Sequence, residues 1–112
     1  MDLFDWTPAF DPAAAATPVE LKARGEARVV AVDAYNPGTA MAFLQLFGKA
    51  AADVTLGTTR PDWVIPIPQG GGRDPVFPQP LVFAAGLTYA VTSTASGSGA
   101  PSAACPISIA YL

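Results

Sequence analysis

Arg28-Val29-Val30-Ala31-Val32-Asp33-Ala34-Tyr35 runs into Asn36-Pro37-Gly38, and Met41-Ala42-Phe43-Leu44-Gln45-Leu46-Phe47 follows shortly after. The first run is rich in valine and alternates with period two, the signature of a strand, and Asn-Pro-Gly then supplies tight-turn chemistry. The second run is apolar on both sides. Met41, Phe43 and Phe47 share one face and Ala42, Leu44 and Leu46 the other, with Gln45 its single polar side chain. Such a strand is covered on both faces, as in a sandwich core strand that also meets a neighbouring subunit.

Working outward, the same grammar repeats. On the N-terminal side, Val19 to Ala23 alternates weakly ahead of a Gly25-Glu26 turn. On the C-terminal side, Gly57-Thr58-Thr59-Arg60-Pro61 is a loop and Trp63 to Pro68 a strand. Pro66 and Pro68 lack amide donors, which places that strand at a sheet edge or on a bulge. Val76 to Phe83 is extended and punctuated by Pro78 and Pro80, Leu87 to Thr94 alternates cleanly, and Cys105 to Leu112 sets Ile107, Ile109 and Tyr111 on one face. Ala95 to Ala103 is a Ser/Gly/Ala loop between the last two. Short strands with turn signals at intervals of about 8–12 residues, and almost no helical period, predict an all-β antiparallel β-sandwich. The expected architecture is jelly-roll-like, with about six to eight short strands.

The first eighteen residues differ in composition. Phe4, Trp6 and Phe10 stand among Asp2, Asp5, Asp11, Pro8 and Pro12, and Ala13 to Thr17 form a small-residue spacer before Pro18. The pattern predicts an extended N-terminal arm and spacer over residues 1–18, ahead of a sandwich domain over 19–112. In a second reading the arm folds back to complete its own domain.

Composition narrows the function classes. Of 112 residues, 51% are hydrophobic and only 13% charged, against about a quarter charged in an ordinary domain. That surface is unusually apolar, so part of it is expected to be covered by other chains. Intrinsic disorder runs against this composition, and no apolar stretch approaches the roughly 20 residues of a membrane helix. The six basic residues are scattered within a net charge of −3, whereas a nucleic-acid footprint needs a clustered basic patch. Neither nucleic acid nor a membrane is an expected partner. The single Cys105 reads as a small buried thiol in a chain assembled in a reducing cytoplasm, with no signal peptide visible at Met1.

Candidate chemistry is sparse. There is no histidine, which removes imidazole-based nucleophilic catalysis and most transition-metal sites. Asp33 either points outward or is buried against a partner such as Arg28 or Arg60. Asp53, Asp62 and Asp74 adjoin turns, where Asp caps the backbone. Gly70-Gly71-Gly72 is followed by a strand-like segment without the Lys-Ser/Thr of a phosphate loop, so it reads as a flexible or positive-φ turn. No catalytic residue, metal or cofactor is expected. The tyrosines alternate with aliphatics and read as mostly packed inside, which leaves Trp6 and Trp63 as surface anchors. Trp63 is a candidate contact for a glycan or a protein partner.

Taken in order, the Asp-Trp-containing arm, Val29 to Pro37, Phe43 to Phe47, Gly57 to Pro61, Ile65-Pro66-Ile67-Pro68 with the triple glycine, and Gly86 to Thr92 resemble the small β-sandwich head proteins of tailed bacteriophages and gene transfer agents. The resemblance implies a virion structural protein on the capsid exterior, a decoration, cement or spike-base subunit without catalysis. Implied partners are the major capsid protein, its own copies as a trimer or pentamer about a capsid symmetry axis, and a fibre or spike protein. Phe4, Trp6 and Phe10 are then the capsid- or neighbour-binding arm, and Met41, Phe43 and Phe47 an oligomer interface, unless the chain's own sheets and arm cover that face. The alternatives are a carbohydrate-binding module for host-surface attachment and a head-tail or tail accessory subunit.

Overall fold

The computed structural model describes residues 7–112. Nine strands occur in this span: β1 (Thr7–Ala14), β2 (Val19–Lys22), β3 (Ala27–Asn36), β4 (Ala42–Phe47), β5 (Trp63–Ile67), β6 (Gly71–Arg73), β7 (Val76–Phe83), β8 (Leu87–Thr92) and β9 (Cys105–Tyr111). A single 3-10 turn, Ala51–Asp53, follows β4. One sheet has the order β1-β9-β3, with β6 and β7 sharing the far edge of β3; the other has the order β2-β8-β4-β5. All pairings are antiparallel. With β6 and β7 as two pieces of one interrupted strand, first pairs with last and second with second-last, down to β4 with β5. This is a long antiparallel ribbon rolled into two layers, the jelly roll. The fold is the expected antiparallel β-sandwich.

Period-two alternation builds the core between the layers. Val29, Val32, Ala34, Ile107 and Ile109 come from the first sheet and Leu44, Leu46, Ile65, Ile67, Leu87 and Val91 from the second, all nearly or wholly inaccessible. Asn36 ties the passage from β3 to β4. Its side chain is fully buried, its Nδ2 donates to Ala40 O at 2.8 Å and Ile67 O at 3.1 Å, and its Oδ1 accepts from Gly38 N at 2.9 Å. The Asn-Pro-Gly turn is thus stitched to both layers, with its polar groups satisfied.

The two central strands of the second sheet, β4 and β8, are buried on both sides, with Phe43 alone partly exposed. Ala42, Leu44 and Leu46 point into the core, while on the outer face Gln45, Phe47, Thr88, Ala90 and Thr92 have no accessible surface. Their cover is the chain's own loops. Residues 48–62 lie over one end, where Thr88 Oγ1 donates to Lys49 O at 2.7 Å and Asp62 Oδ2 accepts from Gly48 N at 2.6 Å. The 93–104 loop lies over the other, where Gln45 Nε2 donates to Thr92 Oγ1 at 2.6 Å and Gly97 O at 3.1 Å. The loops approach each other at Gly57, where an added Cβ would lie 3.4 Å from Ser98. The expectation that β4 is covered on both faces holds, and the cover comes from within the chain.

Two boundaries differ from the sequence reading. Within the proposed arm, Thr7–Ala14 is a strand of the domain, paired with β9 from Thr7 opposite Tyr111 to Ala14 opposite Cys105. Ala15 O then accepts from Val91 N at 3.0 Å, so the chain crosses to the second sheet before β2. Buried Tyr89 donates its hydroxyl to Asp11 at 2.8 Å, and burial, then the carboxylate itself, drive the phenol pKa well above its ordinary value. The triple glycine differs too. Only Gly70 has a positive φ, +61°, while Gly71 and Gly72 enter β6 and pair with Asn36 and Tyr35. An added Cβ at Gly72 would lie 3.0 Å from Ala34 O, so glycine there permits close backbone approach.

Phe47 and Gln45 test the loop cover. Phe47→Ala is expected to cost about 3–5 kcal/mol in urea unfolding, whereas Val82→Ala, at an exposed position, stays within about 0.5 kcal/mol. Gln45→Leu strands the Gly97 carbonyl. It should cost about 1–3 kcal/mol and speed proteolysis within the 93–104 loop under native conditions.

Candidate interaction surface

Among the described residues, no loop lies over the outer face of the first sheet in this way. In β3 the inward series runs through Ala27, Val29, Val32, Ala34 and Asn36, with a bulge between Val29 and Ala31. Arg28, Asp33 and Tyr35 therefore point outward. In β9 the outward positions are Pro106, Ser108 and Ala110. From the flanking strands come Phe10 of β1, 69% exposed, and Val76 and Val82 of β7, 76% and 59% exposed. Together with Tyr35 they are four of the six large hydrophobic residues that stand exposed among the described ones. Proline, alanine and serine fill the ground between them.

Shallow cavities mark this face. One of about 380 Å³ is lined by Pro8, Ala31, Asp33, Val76, Ser108 and Ala110 among others. A second, also about 380 Å³, lies on the other side of Val76 and includes Val30, Pro78 and Pro80. A smaller one of about 220 Å³ sits where Phe10, Asp33 and Tyr35 converge over Pro106 and Ser108. The polar content is low. Asp33 is exposed, which settles the outward reading, and Arg28 pairs with Glu26.

The sequence-predicted site residues fall in different places. Phe4 and Trp6 lie outside the described residues. Phe10 stands on the open face. Of the expected oligomer interface, Met41 is 46% exposed just before β4, Phe43 is half-buried opposite Thr92 and Pro66, and Phe47 is fully buried. Phe47 thus has no surface to offer a neighbour, because the chain's own loops are already over it. Trp63 is 45% exposed at the start of β5. It borders a cavity of about 400 Å³ with Arg60, Asp62 and Ser96. Tyr35 is the exception to the mostly inward reading of the tyrosines, since its neighbours Ala34 and Asn36 take the inward positions. Tyr89 and Tyr111 do pack with the core.

Sequence reasoning missed the open face because its residues come from four strands. The available signal was proline and alanine on the outward side of β7 and β9, where a solvated sheet would carry lysine, glutamate or threonine. Cys105 is buried, with its Sγ 3.5 Å from Ala103 O and 3.9 Å from Asn36 Oδ1. Burial raises its thiol pKa, the opposite of what a nucleophile needs. Among the described residues, no three His, Cys, Asp or Glu side chains are grouped to hold a metal. Compared with protein families, curated proteins and solved structures, the chain returns no match.

Proposed function

We propose that this chain is a structural subunit of a virion exterior, a decoration, cement or spike-base protein of the tailed-phage or gene-transfer-agent type. It joins the particle by burying the outer face of the β1-β9-β3-β7 sheet against another of the particle's chains. The unequal treatment of the two outer faces carries this reading. The chain covers one face with its own loops and leaves the other apolar, with Phe10, Val76 and Val82 more than half exposed. Exposed apolar patches of this kind mark interaction sites. The jelly roll supports the reading only by analogy, since capsid domains use it and so do lectins. Phe10 on this face is also the one described member of the aromatic arm expected to contact the capsid or a neighbouring copy.

A second reading rests on Trp63. A half-exposed indole beside Arg60, Asp62 and Ser96 offers an apolar face for a sugar ring and polar groups to orient it. This would suit host-surface attachment.

Both readings have direct tests. Particles made with and without the protein, imaged by cryo-electron microscopy, are expected to differ by an external density. A Phe10→Asp/Val76→Asp double variant should fold, by circular dichroism, yet be missing from purified particles; wild-type occupancy of that variant would overturn the assembly reading. For the sugar site, calorimetric titration with host-surface oligosaccharides should show saturable binding that Trp63→Ala weakens by about tenfold or more. No saturation in the millimolar range removes that reading.

A further inference from the structure

We propose that the open face of the β1-β9-β3-β7 sheet binds a second copy of this chain, about a twofold axis that sets the two β3 strands antiparallel across the contact. The inference rests on the assembly reading above and names the chain that covers the face.

The sheet edges direct association to a face. Pro8 and Pro12 lie in β1, Pro78 and Pro80 in β7 and Pro66 in β5, while the remaining edge strands, β2 and β6, have only four and three residues. Proline removes donors from an edge and blocks strand addition. A partner is therefore met through side chains.

Charge selects the occupant and its direction. Along the outward side of β3, Arg28 lies near one end and Asp33 toward the other, with Val30 and Ala31 between them. Twofold face-to-face packing can run the two β3 strands parallel, which stacks Arg28 on Arg28 and Asp33 on Asp33. It can also run them antiparallel, which places Arg28 of each copy over Asp33 of the other. Like charges in direct opposition are costly, and complementary ones fix register. The Arg28 ion pair with Glu26 uses Nε, so the terminal guanidinium nitrogens remain for an approaching carboxylate.

The apolar side chains also suit a twofold axis. Val76, 76% exposed, pairs with Ala31, midway between Arg28 and Asp33, so the antiparallel arrangement sets it beside the twofold axis and against its own counterpart, as an isologous contact requires. At about 4.8 Å per strand and about 3.4 Å per residue, four strands of about seven residues present about 450 Å². Two copies then bury about 900 Å² in total, just under the roughly 1,000 Å² of a stable specific interface and in the range of weak, transient ones. A dimer of micromolar affinity is the matching expectation.

Sedimentation velocity on the full chain tests this, with circular dichroism and thermal melts as folding controls. Wild type should dimerise with a dissociation constant of about 1–100 µM. Val76→Asp, Arg28→Glu and Asp33→Arg, all at surface positions, should each weaken the dimer by about tenfold or more. Mixing the Arg28→Glu and Asp33→Arg proteins should restore dimers, because both cross-pairs in that heterodimer join opposite charges. Wild type that remains monomeric at about 200 µM, well above that range, or a mixture that stays monomeric, overturns the proposal. Its failure is separable from that of the assembly reading: a monomeric wild type whose Val76→Asp variant is still lost from particles sinks only the dimer, whereas Val76→Asp at full occupancy in particles sinks the reading beneath it.

Discussion

The rest of this structure depends on the burial of β4 and β8 on both faces, with Phe43 alone partly exposed. One face of each strand is used by the inter-sheet core, and the other must be kept from water by something else. The two longest loops, over residues 48–62 and 93–104, are held there by Thr88 reaching Lys49 O and Gln45 reaching Gly97 O. Among the described residues, no third loop of that length lies over the opposite sheet. The open apolar face is thus the counterpart of the closed one.

Much of the architecture was legible because side-chain alternation and turn chemistry are local signals. Val29 to Ala34, Leu87 to Val91 and Ile107 to Ile109 report their inward positions directly, and Asn36-Pro37-Gly38 marks the crossing between layers. The two-sided burial of β4 was also legible from Ala42 to Phe47, but its cause was not. Whether Phe47 is hidden by a neighbour or by the chain's own loops is a question of tertiary contact, and the Ser/Gly-rich 93–104 loop gives no apolar hint that it lies over Gln45. The strand character of Thr7–Ala14 was obscured by Pro8 and Pro12, which an edge strand tolerates and an isolated reading takes for an arm. At the candidate surface, Phe10 was singled out from composition, whereas Val76 and Tyr35 acquire meaning only when β1, β9, β3 and β7 lie side by side.

The N-terminal segment holds the layers together along one side. β1 belongs to the first sheet, Ala15 bonds to Val91 of the second, and Asp11 accepts the hydroxyl of Tyr89 across the gap. With Asn36 at the β3–β4 turn and the Tyr111 hydroxyl donating to Leu21 O, polar groups join the layers at separate points around an interior that is mostly aliphatic. Hydrophobic burial gives the sandwich its cohesion without direction, and these hydrogen bonds contribute a fixed register. The outward positions of Phe10, Asp33 and Val76 relative to one another follow from that register.

The edge prolines also bear on how so apolar a chain folds without loss. With mean hydropathy of +0.34, its partly folded states display unpaired strands beside greasy surface, the combination from which cross-β fibres nucleate. Proline within β1, β5 and β7 interrupts any ladder that one immature molecule could extend onto another, in the manner of gatekeeper residues. Exposed apolar side chains are thereby gathered on a face assembled from four strands, which becomes complete only once the jelly roll has closed. Which residues lack an amide hydrogen thus favours closure of the roll over strand-to-strand growth between immature molecules.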